Sequence, residues 1–225
     1  MNIFDAVSFG TVEDLVAALR SGEDPNQYDT HSLTPLHWAM SRFGSANQDV
    51  QKIKLLLEAH ADPNAPSNNG GTPIVDAITY GQMELIELLL SYGASIKSES
   101  DVGSLIADAV LGSQLTLIPY LVNKGVDVNL ISRDGFTPLM LAAGNGVEDA
   151  IPILLAAGAQ VDLRDTNHGL TAYLHAAVAG NKVAARILLA AGANPRATAN
   201  NGKNACALAE EEQHAWDEFE VDREE

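Results

Sequence analysis

The sequence has little cysteine, few aromatics and few positive charges. Cys206 is the single cysteine among 225 residues, so no internal disulfide can form and nothing asks for an oxidising compartment. Aromatics make up 5% of the chain, too few for a β-sandwich or barrel, which draws on aromatic and β-branched residues. No apolar run approaches the ~20 residues needed to cross a bilayer. The opening Met1-Asn2-Ile3-Phe4-Asp5 lacks the basic start and apolar core of a secretory signal, so the expected location is the cytoplasm. Only 13 basic side chains stand against 30 acidic ones, a formal net charge of −17. That field disfavours nucleic-acid phosphates and anionic membranes, and it favours a basic partner. The same acidity also serves solubility, and charge alone does not choose between the two.

A strong period is present. Gly93-Ala94-Ser95, Gly125-Val126-Asp127, Gly158-Ala159-Gln160 and Gly192-Ala193-Asn194 recur at spacings of 32, 33 and 34 residues. A period of this size is the signature of a stacked array. Ahead of these glycines lie Leu88-Leu89-Leu90, Tyr120-Leu121-Val122, Ile153-Leu154-Leu155 and Ile187-Leu188-Leu189. These are the apolar ends of amphipathic helices, which a glycine can stop in a left-handed cap. A shorter helix precedes each, opened by Thr34-Pro35-Leu36-His37, Thr72-Pro73-Ile74, Thr137-Pro138-Leu139 and Thr171-Ala172-Tyr173. Threonine caps such a helix and proline suits its first position.

The Thr-Pro-Leu-His signature, the following alanine, the paired leucines and the Gly-Ala turn resemble the ankyrin-repeat family. The resemblance covers almost the whole chain. It implies an all-α solenoid of six to seven helix-turn-helix units with short β-hairpin tips. The units are expected near residues 1–26, 27–64, 65–96, 97–129, 130–162 and 163–195, with a truncated cap at 196–209, in a single domain over residues 1–209 and an acidic end at 210–225. Ala6, Ala39, Ala77, Ala109, Ala142 and Ala176 share one register, where neighbouring units must approach closely.

Departures from the pattern carry expectations of their own. Phe43 to Gln48 extend the turn of the second unit, either as a tolerated surface insertion or as a lip beside the binding groove. His60 stands where glycine is expected. Ser104-Leu105 replaces Thr-Pro in the fourth unit, so that helix start is expected to be less firmly fixed. Pro119 and Pro152 should shorten or kink the second helices of units four and five.

No constellation for catalysis emerges. The six histidines show no pair at helical ligand spacing, and Cys206 has no second cysteine for a zinc site. Asn68-Asn69-Gly70-Gly71 lacks the lysine and the spacing of a phosphate loop and reads as a turn. His37, by the resemblance, ties adjacent backbone turns together. No spacing joins a nucleophile, a base and an orienting acid. The expectation is a non-enzyme with no metal and no cofactor.

The family resemblance implies that partners are held by the hairpin tips and by the exposed face of the first helices. Four places after the cap threonine stand Trp38, Asp76, Asp108, Leu141 and His175, with Asp5 at the same place in the first unit. One turn on stand Phe9, Arg42, Tyr80, Gly112, Asn145 and Ala179, because residues three or four apart share a helix face. The candidate contacts are Asp5, Phe9, Trp38, Arg42, Asp76, Tyr80 and Asp108, with Tyr28 and Ile131 at the tips. Trp38 is the expected anchor, offering a large ring and an indole donor. The competing account makes the aromatics partly buried packing residues and the aspartates merely solvated. The remaining tip residues, among them Asp29 and Asp165, read as solvated turns. The end from Glu210 reads as a solvated cap, with Trp216 and Phe219 packing back, or as an acidic arm that imitates nucleic acid. The functional expectation is an interaction module, monomeric when free, that binds and neutralises or scaffolds a basic protein, on the pattern of a bacterial immunity or inhibitor protein. The alternatives are a self-associating scaffold and an exported effector acting on host proteins.

Overall fold

The computed structural model describes residues 1–41, 48–68, 70–96 and 104–212. They fall in two compact units, residues 1–96 and residues 104–212. Of the extended turn at Phe43 to Gln48, residues 43–47 lie outside the described residues while Gln48 already begins a helix. Arg42, the tip at 98–101 and the end from Gln213, with Trp216 and Phe219, also lie outside them.

The first unit runs α1 (Ile3–Ser8), α2 (Val12–Arg20), α3 (Pro35–Ser41), α4 (Gln48–Glu58), α5 (Pro73–Thr79) and α6 (Met83–Ser91). Each short helix packs on the helix that follows it, α3 packs on both α1 and α5, and α2 packs on α4. The second unit runs α7 (Leu105–Leu111), α8 (Leu117–Asn123), α9 (Pro138–Asn145), α10 (Ala150–Ala156), α11 (Ala172–Val178), α12 (Lys182–Ala190) and α13 (Ala205–Glu211). Here α7, α9, α11 and α13 form one row and α8, α10 and α12 another. Helices this short are marginal alone in water, so packing holds them. Ile3, Leu15, Leu36, Ile53, Ile74, Ile78, Leu85 and Leu89 fill the first core, and Ile106, Leu121, Leu139, Ile151, Leu154, Leu174 and Leu188 the second. Each such side chain contributes roughly 1.5–3 kcal/mol on full burial. All six register alanines are buried, as close approach of neighbouring first helices requires.

Thr11, Thr137 and Thr171 cap their helices through the side chain. Ser104, expected to leave its helix loosely started, does the same: its hydroxyl accepts the Ala107 N–H at 3.4 Å and is fully buried. Thr72, which has the full Thr-Pro signature, makes no side-chain cap. His37 ties two turns as the resemblance implies, since Nδ1 lies 2.8 Å from the Thr34 hydroxyl and Nε2 lies 3.4 Å from the Gly71 carbonyl.

The stop position after the second helix is left-handed whatever residue fills it: Gly93 and Gly158 have φ of +89° and +96°, and His60 takes +64°. Ser113, with φ +56°, likewise fills the place that Gly81 and Gly180 hold after their short helices. Helices α8 and α10 have seven residues, against nine in α2, α6 and α12. Pro119 and Pro152 stand third in these helices, and a residue without an N–H cannot donate to an earlier turn, so each helix begins late.

Two sets of ties were invisible in the sequence pattern. Asn26 donates to the His60 carbonyl at 2.9 Å and accepts the Asp62 N–H at 2.7 Å. Asn64 does the same to Gly93 and Ser95, and Asn129 to Gly158 and Gln160. Each asparagine matches one donor and one acceptor of the next turn, as a side-chain amide with its separate N–H and C=O groups can do. Lys52 is buried, and its ammonium donates to the carbonyls of Val7 and Gly10 at 2.9 and 2.8 Å. It thus caps the carboxyl end of α1. The tips close through pairs of backbone bonds, such as Asp29 N–H to Leu33 with Ser32 N–H to Asp29, and Ser132 N–H to Phe136 with Gly135 N–H to Ser132, and no strand occurs among the described residues.

Candidate functional site

The exposed side of the first helices in the first unit gathers most of the candidate contacts. Asp5 is exposed on α1, and its carboxylate accepts from the Asn2 side chain at 2.9 Å. Phe9, the residue that ends α1, is 81% exposed, and Tyr80, which ends α5, is 68% exposed. Both rings are thus exposed large apolar groups rather than buried ones. Trp38 on α3 differs. It is half-buried, and its indole N–H donates to Asp29 Oδ2 at 2.8 Å. The donor expected to meet a partner is therefore engaged within the unit. Asp76 on α5 is half-buried, and burial holds its carboxyl above the usual carboxylate value against the nearby charge of His37. Tyr28 is exposed beside its tip. Arg42, one turn beyond Trp38 in the sequence, lies outside the described residues.

In the second unit the same register is less apolar. Asp108 on α7 and Leu141 on α9 are half-buried, and Ile131 is exposed before its tip. His175 is occupied: its Nε2 lies 2.8 Å from Asp165 Oδ2 and Phe136 meets the ring edge-on at 5.3 Å. The Asp165 side chain is 0% exposed, which corrects its reading as a solvated turn. Burial alone would raise its carboxyl, but the N–H groups of His168 and Asn167, with His175, bring it below the usual range. Burial lowers His175 despite the attraction of Asp165, so at neutral pH a neutral imidazole donates to a carboxylate. Asp29 follows the same logic: burial opposes ionisation, and the N–H groups of Leu33, Trp38 and His31 outweigh it. A carboxylate at the first tip position in both units was the available signal for these pairs.

A cleft of about 560 Å³ opens between α8 and α10, lined by Pro119, Val122, Pro152, Ile153 and Ala156 among others. It is apolar and holds no titratable group. Among the described residues no three His, Cys, Asp or Glu side chains converge as metal ligands, and no helix is long and apolar enough to cross a membrane.

Comparison with known proteins agrees with this architecture. A family model described as ankyrin repeats (3 copies) matches residues 3–100 and 106–213. The human palmitoyltransferase ZDHHC17 is 32% identical over 219 residues, covering 96% of this chain but 34% of that protein. The ankyrin repeat protein nuc-2 of Neurospora crassa is 28% identical over 195 residues, 86% of this chain and 18% of its own length. The chain thus spans about a third or less of these relatives. Among solved structures, the human ASB11 ankyrin repeat domain superposes with a TM-score of 0.75 at 26% identity, covering 93% of this chain and 91% of that one.

Proposed function

The chain belongs to the ankyrin-repeat family, a family of protein-protein interaction modules, and on that premise we propose that it binds a basic protein through the first-helix face of its first unit. The observation that carries this reading is the pair of open rings, Phe9 and Tyr80, on a face that also bears Asp5 and Asp76. Apolar anchors supply most of the energy of an interface, while charges around them govern encounter and selection. The net charge of −17 draws a basic partner toward that face. Binding of this kind either neutralises the partner, as an inhibitor or immunity protein does, or scaffolds it in the cytoplasm. Ile131, Tyr28 and Asp108 are secondary contacts in this reading. The palmitoyltransferase activity in the relative's name belongs to a protein about three times as long, and no residue set described here supports carrying it over.

The test is capture from the source organism followed by a binding measurement with the purified partner. Phe9→Ala with Tyr80→Ala is expected to weaken binding by about thirtyfold or more, on the order of 2 kcal/mol, while helical circular dichroism stays unchanged. The association rate should fall as salt rises beyond ~0.1 M. Unchanged affinity in the double variant removes this face from the account. Sedimentation at micromolar concentration decides the self-associating alternative, for which a mass above one chain would be found without any partner.

A further inference from the structure

One carboxylate on this face differs from the rest. Asp5 accepts from Asn2, and Asp29 accepts from Trp38, His31 and Leu33. Asp76 has no side-chain hydrogen bond or ion pair among the described residues, and the group whose charge acts on it is His37. His37 supplies no lasting positive charge: burial lowers its titration below 6.5, and its ring nitrogens are taken by Thr34 and Gly71. A half-buried carboxylate without donors is costly in the free protein and gains when a donor arrives.

The surroundings select the kind of donor. Tyr80 lies one turn beyond Asp76 on the same helix face, with its backbone N–H on the Asp76 carbonyl at 3.1 Å. Residues so placed stand about 5–6 Å apart at Cβ. Trp38 holds the same register on α3, which packs on α5. Its N–H is already given to Asp29, so it offers a ring and no competing donor. A group arriving there meets one acceptor flanked by aromatic surface.

We propose that Asp76 is the seat for an arginine side chain of the partner, the guanidinium pairing with the carboxylate and stacking on Tyr80. This rests on the docking face proposed above and names the group it reads. Arginine suits the place better than lysine. Its planar fork matches a carboxylate in two hydrogen bonds and stacks on a ring, whereas an ammonium is a strongly hydrated point charge.

The test uses the full chain and two capped nonapeptides, one of Gly-Ser-Arg repeats and one of Gly-Ser-Lys repeats, with carbon-13 NMR following the Asp76 carboxylate. In the free protein its midpoint lies above 3.8. The arginine peptide at millimolar concentration lowers that midpoint, because a nearby positive charge favours the ionised form, and the lysine peptide lowers it less. Asp76→Asn weakens arginine-peptide binding about tenfold. Tyr80→Leu weakens it several-fold and leaves the free midpoint in place. A midpoint that ignores the arginine peptide overturns the proposal, and so does an equal response to lysine. A free midpoint below 3.8 that rises in Arg42→Ala also overturns it, by making this chain's own Arg42 the occupant. The two failures are distinguishable. If Asp76→Asn binds the captured partner as wild type does while Phe9→Ala with Tyr80→Ala does not, the face stands and the arginine seat falls. If the double variant keeps the partner, the face falls and the seat for the partner's arginine falls with it, whatever the arginine peptide does at Asp76.

Discussion

The indole N–H of Trp38 donates to Asp29 Oδ2 at 2.8 Å, joining the face of α3 to the tip that precedes it. The side chain is thereby fixed in direction, with one edge turned into the unit. Trp38→Phe keeps most of the ring and removes the donor. It is expected to cost about 1 kcal/mol in urea unfolding, since Asp29 keeps the N–H groups of His31 and Leu33. The Asp29 carboxyl should rise toward 3.8, because one bond that lowers it is gone. If Trp38 contributes its ring to the partner, Trp38→Phe binds almost as well as wild type, while Trp38→Ala does not.

Stability should fall on mild acidification. Burial holds both His37 and His175 below 6.5, so in the window beneath that value the unfolded chain binds more protons than the folded one. Stability then rises with pH across the window, is fully present above 6.5, and is lost as pH falls. Asp76, held above 3.8, acts in the opposite sense only nearer that value, and Asp165, held below it, loses its contribution at still lower pH. Denaturant unfolding between about pH 7.5 and pH 5.5 should show the decline, with a shallower slope in His175→Gln. An unchanged slope in that variant would place the effect elsewhere.

His60 and Ser113 are held at φ of +64° and +56°, a region that costs a non-glycine residue about 1–2 kcal/mol. Glycine removes that strain but loses more freedom on folding. His60→Gly and Ser113→Gly should each gain ~0.5–1 kcal/mol. The reverse change, Gly158→Ala, should lose about 1 kcal/mol. Nothing lies within 4 Å of the added methyl, so the loss is conformational. Thermal and urea unfolding of the three variants checks the signs.

Lys52 carries a different load. Its ammonium fills the carboxyl end of α1 through Val7 and Gly10, just beside Phe9. Lys52→Met keeps the buried stem and strands two carbonyls, for an expected loss of about 2 kcal/mol. Amide exchange should speed up first in α1. Exchange that quickens uniformly across the first unit instead would argue against a local cap.

Much of the fold was legible because its determinants are local and recur. The threonine caps, the glycine stops, the buried alanines and the late starts that Pro119 and Pro152 impose each follow from a backbone preference or from one residue's volume. Of the candidate site, the shared register of Asp5, Asp76, Phe9 and Tyr80 could be counted from the caps. The engagement of Trp38 by Asp29 could not, because a tip aspartate reads as a solvated turn until its distance to the helix is known.

By itself, then, the sequence determined where helices begin and end, which side chains enter the core, and that the chain belongs to a repeat architecture, since periodicity and propensity act over a few residues. Only the tertiary structure decided which polar groups find partners. Asn26, Asn64 and Lys52 meet carbonyls 29 to 45 residues away, Asp165 is buried beneath His175, and Asp76 has no donor among the described residues. Hydrogen bonding depends on distances of a few tenths of an ångström between segments far apart in the chain, and no local pattern carries that information.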